Sequence, residues 1–130
     1  MELVDLYIHF DKINKENIFE FIKNWLSDFE PEYECFEYPP YFGETEYETE
    51  DYTEMLSFVL EKNGRGYRFY FENNGNIKRP KGMIFINKDH SAYLGIGVDP
   101  NYEKYFTDKF LEKYKVSPIV CYNGQIPDNE

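Results

Sequence analysis

The stretch Tyr67-Arg68-Phe69-Tyr70-Phe71 decides the fold of this chain, because four aromatic rings within five residues are typical of a strand in the interior of a sheet. Two further short strands are predicted at Met83–Asn87 and Ala92–Val98, on either side of the polar turn Lys88-Asp89-His90. The run Asn73-Asn74-Gly75-Asn76 predicts a turn between the first strand and the second. Short strands joined by turns predict an antiparallel meander.

An Asn-Gly pair, Asn63-Gly64, precedes this stretch and predicts a β-hairpin. Both central residues of such a tight turn need positive φ, which Asn and Gly adopt readily. The segment Met55–Lys62 is therefore predicted to be a strand that pairs with Gly66–Glu72.

The beginning of the chain predicts one strand followed by one helix. Residues Leu3–Phe10 alternate in hydropathy and are predicted to form the strand. Asn14 is typical of a helix N-cap, and the apolar residues after it recur at helical spacing. A helix is therefore predicted over Lys15–Ser27, and the apolar residues in question are Ile18, Ile22, Trp25 and Phe29.

A second helix is predicted after Asp99-Pro100, because Asp is a favoured N-cap and Pro is favoured at the first helical position. Aromatic residues then recur at helical spacing, and the helix should end at about Lys113. Residues Val116–Tyr122 are predicted to form a final edge strand, since Pro118 interrupts them. This order predicts a single α+β domain over residues 1–130, in which two helices pack on one face of a mainly antiparallel sheet of about five to six strands.

The net charge of −11 belongs to residues 28–54, which we call the acidic segment. It contains eleven of the 25 Asp and Glu residues and no Lys, Arg or His. The other 14 acids are balanced by the 14 Lys and Arg residues, so the remainder of the chain is neutral. Such a concentration of like charge opposes compact folding and exceeds what solubility requires, which makes the acidic segment the candidate functional site.

The sequence leaves the conformation of the acidic segment open. Pro39-Pro40 excludes one regular element across it. Over residues 44–54, a strand would place the alternate glutamates of Glu44–Glu50 on one face, whereas in a helix Thr45 and Glu48 would form a capping box. The Thr and Tyr residues of this part favour an extended or loop conformation.

The residues that usually carry catalysis or hold metals are few and scattered. His9, His90, Cys35 and Cys121 show neither the spacing of zinc ligands nor that of a nucleophile and its base. The two cysteines are predicted to be free thiols in a reducing compartment. The acidic segment also lacks the residue spacing of a calcium loop. We therefore predict no catalytic residue, no metal site and no cofactor.

Nucleic acid and membranes are not expected ligands. The negative charge repels phosphates, and the largest basic group, Lys78-Arg79-Pro80-Lys81, is small. Gly95-Ile96-Gly97 lacks the third glycine and the lysine of a phosphate-binding loop, and its glycines are predicted to allow close packing against a helix. Apolar runs are too short to span a bilayer and the first residues do not form a signal peptide, which predicts a cytoplasmic protein.

The aromatic residues of the acidic segment favour a protein-binding surface, because disordered acidic segments are usually poor in aromatics. Carboxylates steer a basic partner towards such a surface, and aromatic rings supply the contacts that prolong the complex. These aromatic residues are Tyr33, Phe36, Tyr38, Tyr41, Phe42, Tyr47 and Tyr52. The residues predicted to bind the partner are Glu44, Glu46, Tyr47, Glu48, Glu50, Asp51, Tyr52 and Glu54.

In size, acidity and the run Gly43–Tyr52, the chain resembles the small acidic α+β immunity proteins that neutralise toxins of interbacterial competition. The resemblance implies a non-enzymatic inhibitor that binds a basic cognate toxin. A nuclease is the favoured class of toxin, because carboxylates can occupy the positions of phosphates in its groove. Three other functions are compatible with the sequence: a phage-type DNA mimic or anti-defence protein that inhibits a nucleic-acid-binding host protein, a small carboxylate-based enzyme, and a structural or adaptor module without inhibitory action.

Overall fold

A computed structural model describes residues 2–40, 44–122 and 124–127, and within them it contains eight strands and three α-helices. The strands are β1 (Val4–Phe10), β2 (Glu30–Pro31), β3 (Phe36–Tyr38), β4 (Tyr47–Thr49), β5 (Tyr67–Glu72), β6 (Lys81–Ile86), β7 (Ala92–Val98) and β8 (Ile119–Cys121). The helices are α1 (Lys15–Trp25), α2 (Tyr52–Leu60) and α3 (Glu103–Tyr114), and a short 3₁₀ helix (Pro100–Tyr102) precedes α3.

Six of the strands form one antiparallel sheet, in the order β2-β5-β6-β7-β1-β8. This confirms the predicted α+β fold with an antiparallel sheet of five to six strands. The meander is also confirmed, because β5, β6 and β7 are neighbours, with Phe69 opposite Ile84 and Ile84 opposite Leu94. Among the described residues, the other two strands, β3 and β4, pair only with each other, and we call this pair the small sheet.

All three helices contribute to one hydrophobic core on the same face of the six-stranded sheet. Alternate residues of each strand point to this face, as the two-residue period of a strand requires. The sheet residues in this core include Leu6, Ile8, Phe69, Phe71, Ile84, Ile86, Leu94 and Ile96, and the helix residues include Ile18, Phe21, Met55, Leu56, Val59, Phe106 and Phe110. Within the described part of the chain, none of the helices lies on the opposite face, which we call the helix-free face, or is long and apolar enough to cross a membrane.

The prediction of two helices was wrong, because Met55–Lys62 is not a strand. Most of it lies in α2, whose buried residues Met55, Leu56 and Val59 share one side of a helix. Asp51 provides the start signal, since its side chain accepts a hydrogen bond from the Thr53 N–H (2.9 Å). A short apolar run fits both a strand and a buried helix. The Asp51 cap favours the helix, and the core takes up its buried side.

The predicted hairpin at Asn63-Gly64 is therefore also wrong. Gly64 does have positive φ (95°), and its N–H donates to the Lys88 carbonyl (2.9 Å). However, the turn connects a helix to a strand and not two paired strands. The β5 strand pairs with β6 on one side and with β2 on the other. Positive φ at an Asn-Gly pair thus identified the turn but not its flanking elements.

The predicted ends of the other elements are close to the observed ones. Asn14 caps α1 by accepting from the Asn17 N–H (2.8 Å), and the helix ends at Trp25 instead of Ser27. Asp99 caps the 3₁₀ helix in the same way, and β8 is the predicted edge strand. His90 has φ of 66° in its turn, a conformation that His adopts more readily than most residues, and it is buried there.

Gly95 allows close packing against a neighbouring strand, and the prediction that it packs against a helix was wrong. It lies opposite Tyr7 of β1, whose ring is buried on the helix-free face. A Cβ atom at Gly95 would lie 2.5 Å from the Tyr7 ring and 2.8 Å from the Leu6 carbonyl oxygen. The second of these atoms is backbone, so a rotation of the Tyr7 side chain does not relieve the contact.

Replacing Gly95 with Ala should lower the free energy of unfolding by about 1–3 kcal/mol, because the added methyl group overpacks the β1–β7 pair. Urea denaturation measures this change. Gly75→Ala is the matched control, since its Cβ would only approach the Asn73 side chain (3.4 Å) and should change stability by less than about 0.5 kcal/mol. Equal midpoints for the two variants would contradict the expected clash.

Candidate functional site

The acidic segment folds against the edge of the six-stranded sheet. Its first part contains β2, which pairs with β5, and its middle part forms the small sheet. Its last residues provide the N-cap and the first turn of α2. Its extended conformation at Tyr47–Thr49 agrees with the prediction for residues 44–54, whereas the helix from Tyr52 onwards corrects it. Tyr41 and Phe42, two of the aromatic residues that favour a protein-binding surface, lie outside the described residues, as does Gly43.

Four exposed glutamates lie on the small sheet or directly beside it, and we call them together the acidic face: Glu37, Glu46, Glu48 and Glu50. Glu48 lies directly opposite Glu37 in the β3–β4 register. Glu46 and Glu50 are exposed and flank β4 by one residue at each end. Glu46, Glu48 and Glu50 are among the residues that the sequence predicts to bind a partner, and the strand pairing adds Glu37.

The pKa of Cys35 is affected by the negative charge of the acidic face. Cys35 is an exposed free thiol, and its pKa is raised by partial desolvation and then by the carboxylates of Glu48, Glu37 and Glu50. Each of these carboxylates disfavours a second negative charge at the sulfur. The carboxylates of Glu37, Glu48 and Glu50 thus act together at one point on the surface.

Tyr47 and Tyr52 point towards the interior of the protein. The Tyr47 ring stacks on Phe58 of α2, with centroids 4.4 Å apart and an interplanar angle of 6°. The Tyr52 ring meets Phe71 edge to face at 5.3 Å. Both rings are half-buried, so they anchor the acidic segment to its own core and leave only part of their surface for a partner.

Asp51 and Glu54 have roles in local structure. Hydrogen bonds from the Thr53 hydroxyl and N–H lower the Asp51 pKa, as expected for a carboxylate at a helix N-cap. Glu54 accepts a hydrogen bond from the Thr49 hydroxyl (2.5 Å), which ties α2 to β4. Glu44, the remaining predicted residue, is exposed beside the small sheet.

Arg65 is the cation that approaches the acidic face. Its guanidinium lies 3.6 Å from Glu46 and 3.5 Å from Glu61, donates to the Phe58 carbonyl (2.7 Å) and covers the Phe58 ring at 3.7 Å. Among the described residues, Glu37, Glu48 and Glu50 have no such ion pair. Most of the acidic face therefore carries uncompensated charge.

A groove of about 930 Å³ separates the small sheet from the edge of β5, and the sequence did not predict it. We call it the edge groove. Rings of Phe36, Tyr38 and Tyr67 line its helix side, and Tyr33 and Tyr70 line its other side. The aromatic content of the acidic segment was a signal for this groove, but only the pairing of β3 with β4, and not with β5, creates it.

A second polar cluster lies on the helix-free face. Burial raises the pKa of Asp5 to about 6, and burial together with Asp5 raises the pKa of the Tyr7 hydroxyl. Both residues line a depression of about 330 Å³ with Glu32, whose carboxylate is 3.7 Å from the Lys81 ammonium group. Nothing in the local sequence marks Asp5, because its burial depends on packing of the folded sheet.

No cluster of three or more His, Cys, Asp or Glu side chains suited to a metal ion occurs among the described residues. Comparison of the chain with protein-family models, curated proteins and solved structures found no match. The function must therefore be inferred from the surface itself, and the acidic face and the edge groove are its two most distinctive features.

Proposed function

We propose that this protein is a non-enzymatic inhibitor that binds and neutralises a basic toxin through the acidic face. The observation that carries the proposal is the cross-strand pair of Glu37 and Glu48. Like charges directly opposite each other destabilise a sheet, so this arrangement does not serve the stability of the fold. A cationic partner would remove the repulsion on binding.

The distribution of charge supports the same conclusion. The acidic segment carries the whole excess of negative charge, and four of its carboxylates lie on the paired strands β3 and β4 or directly beside them. A surface of this kind steers a basic protein and accelerates encounter, with the effect weakening as salt rises.

The rings that contact the partner differ from those predicted. Tyr47 and Tyr52 are committed to the core, whereas Tyr33 is 57% exposed beside the edge groove and meets Tyr70 edge to face at 6.5 Å. A large, exposed aromatic residue near a charged surface is a typical binding anchor. We therefore assign the anchoring role to Tyr33 and the steering role to the acidic face.

A nuclease is the class of toxin that fits this surface best, because its groove must attract phosphates. Alternate residues of a strand repeat about every 7 Å, so Glu46, Glu48 and Glu50 present an ordered row of carboxylates. Such a row can occupy phosphate positions in a basic groove. A double-stranded oligonucleotide should then compete for the partner, and a partner insensitive to the oligonucleotide would exclude the nuclease class.

Glu48→Lys should slow association with the toxin by at least about tenfold at low salt, because it reverses charge at the centre of the acidic face. The probe is the purified product of the gene beside this one. Its association rate is measured by stopped flow between 20 and 500 mM salt, over which the screening length falls from about 20 to about 4 Å. Coexpression with the wild-type protein should restore growth of cells that produce the probe.

The matched control is Glu112→Lys, which makes the same charge change at an exposed position of α3. It should alter the association rate by less than about twofold, because it lies outside the acidic face. Equal rates for Glu48→Lys and the wild-type protein at low salt, or no complex with the probe, would contradict the proposal.

A further inference from the structure

The outer edge of β5 is only partly covered. β2 pairs with its end, with Glu30 opposite Glu72 and Pro31 opposite Phe71, and the Glu32 N–H donates to the Tyr70 carbonyl (2.8 Å). After Glu32 the chain leaves this edge, and its next strand, β3, pairs with β4 instead. The first half of β5 therefore has no neighbouring strand on this side among the described residues.

The orientation of the backbone shows which groups are open. The Tyr70 carbonyl points towards β2, and in a strand the N–H and C=O of every second residue share a side. The N–H and C=O of Arg68 thus point away from β6 and into the edge groove. Within the described part of the chain, no hydrogen bond reaches either group.

The space beside this edge has the shape that a strand requires. The edge groove lies in line with β2 and runs along β5 from Tyr70 towards Gly66. A strand of four residues spans about 13 Å and presents alternate side chains to opposite sides. One set would meet the rings of Tyr38 and Tyr67, and the other would meet Tyr33 and Tyr70.

From these observations we infer that the edge groove binds an extended, basic segment of the partner protein, which adds to the sheet beside β5 and hydrogen-bonds to the backbone of Arg68. Strand addition supplies affinity through the main chain and specificity through the alternating side chains. This inference rests on the proposed function for the identity of the partner. The geometry of the open edge does not depend on it.

The charge around the groove selects a basic segment. Its lining contains two cations, Arg68 and Lys88, and two carboxylates, Glu37 and Asp89, so the lining itself is neutral. Glu37 is also part of the acidic face, and two more of its carboxylates, Glu48 and Glu50, act on the pKa of Cys35, which lines the groove. A segment whose aromatic or aliphatic residues alternate with Lys or Arg would place rings against rings and its cations beside the acidic face.

Selection from a random dodecapeptide library displayed on phage tests the inference. Peptides selected on the wild-type protein should be rich in Lys and Arg and should bind Arg68→Pro at least about tenfold more weakly, because proline lacks the N–H that the added strand uses. The β5–β6 ladder should survive, since this N–H faces outwards and proline is tolerated at a sheet edge. Arg68→Ala, which keeps the N–H, should retain binding within about twofold.

A second measurement does not depend on folding of the proline variant. A selected peptide is synthesised with N-methyl groups on every second residue, in each of the two registers. Only one edge of an added strand pairs with β5, so one register should bind and the other should not. Any of four results would overturn the inference. The selected peptides bind Arg68→Pro as well as they bind the wild-type protein, or both methylated registers bind equally. Alternatively, the selected peptides are acidic, or no peptide is retained above the Arg68→Pro background.

The two proposals fail separately. If Glu48→Lys loses the salt-dependent association with the toxin but Arg68→Pro does not change peptide binding, the result would support the acidic face and reject strand addition. Peptides that respond to Arg68→Pro but are insensitive to Glu48→Lys would show strand addition to the edge and reject the assignment of a basic segment.

Discussion

Asp5→Asn should stabilise the protein by about 1–3 kcal/mol at pH 8 and leave its stability nearly unchanged at pH 4. The Asp5 carboxyl is partly buried on the helix-free face, and this burial raises its pKa from 3.8 to about 6. Among the described residues it has neither a hydrogen bond nor an ion pair that would compensate for this burial. Asn keeps the shape of the protonated group and removes the charge.

The direction of the pH dependence follows from the two pKa values. Below pH 3.8 the carboxyl is protonated in the folded and the unfolded chain, and the stability associated with its raised pKa is fully present. This stability is lost as the pH rises through about 6, where the folded protein must also ionise the buried group. A difference of about 2 between the pKa values corresponds to about 3 kcal/mol, and partial exposure of the carboxyl reduces it.

Urea unfolding of the two proteins at intervals from pH 4 to pH 8 measures this effect as the difference between their free energies of unfolding. Glu112→Gln, which removes one exposed charge, serves as the control and should show a small difference at every pH. A difference between Asp5→Asn and the wild-type protein that is the same at pH 4 and pH 8 would contradict the expectation.

Phe36→Ala should lower the free energy of unfolding by about 3–5 kcal/mol and loosen the acidic face. Phe36 is 3% exposed and joins the small sheet to the main core, with its ring 5.8 Å from Phe69 and 6.4 Å from Tyr67. A two-stranded sheet is not stable by itself in water. The small sheet therefore depends on this contact for its order.

Amide hydrogen exchange distinguishes a local loosening from a general loss of stability. The Glu46 N–H, which donates to the Tyr38 carbonyl at 2.7 Å, should exchange faster in Phe36→Ala by a larger factor than amides of β6 and β7. Tyr33→Ala is the matched control, because Tyr33 is mostly exposed and should change stability by less than about 0.5 kcal/mol. Unchanged protection at Glu46 would show that other contacts hold the small sheet.

The candidate site was predictable in its charge but not in its arrangement. The count of charged residues located the acidic segment, and the structure places Glu48 on β4 with Glu46 and Glu50 exposed just outside its two ends. Glu37 joined them only through the β3–β4 register, which depends on a contact between residues eleven apart in the chain. The same contact turned Tyr47 towards Phe58, so a ring expected to face a partner faces the core instead.

The sequence by itself determined the α+β class, the meander of β5, β6 and β7, and the caps at Asn14 and Asp99, because these depend on local periodicity and on side-chain hydrogen bonds over two or three residues. Tertiary structure decided that Met55–Leu60 is helical, since its apolar run fits either a strand or a helix until the core surface is known. It also decided that β3 pairs with β4 and leaves the edge of β5 open. Strand partners are chosen by contacts distant in sequence, and for this reason the acidic face could be anticipated in composition while the groove beside it could not.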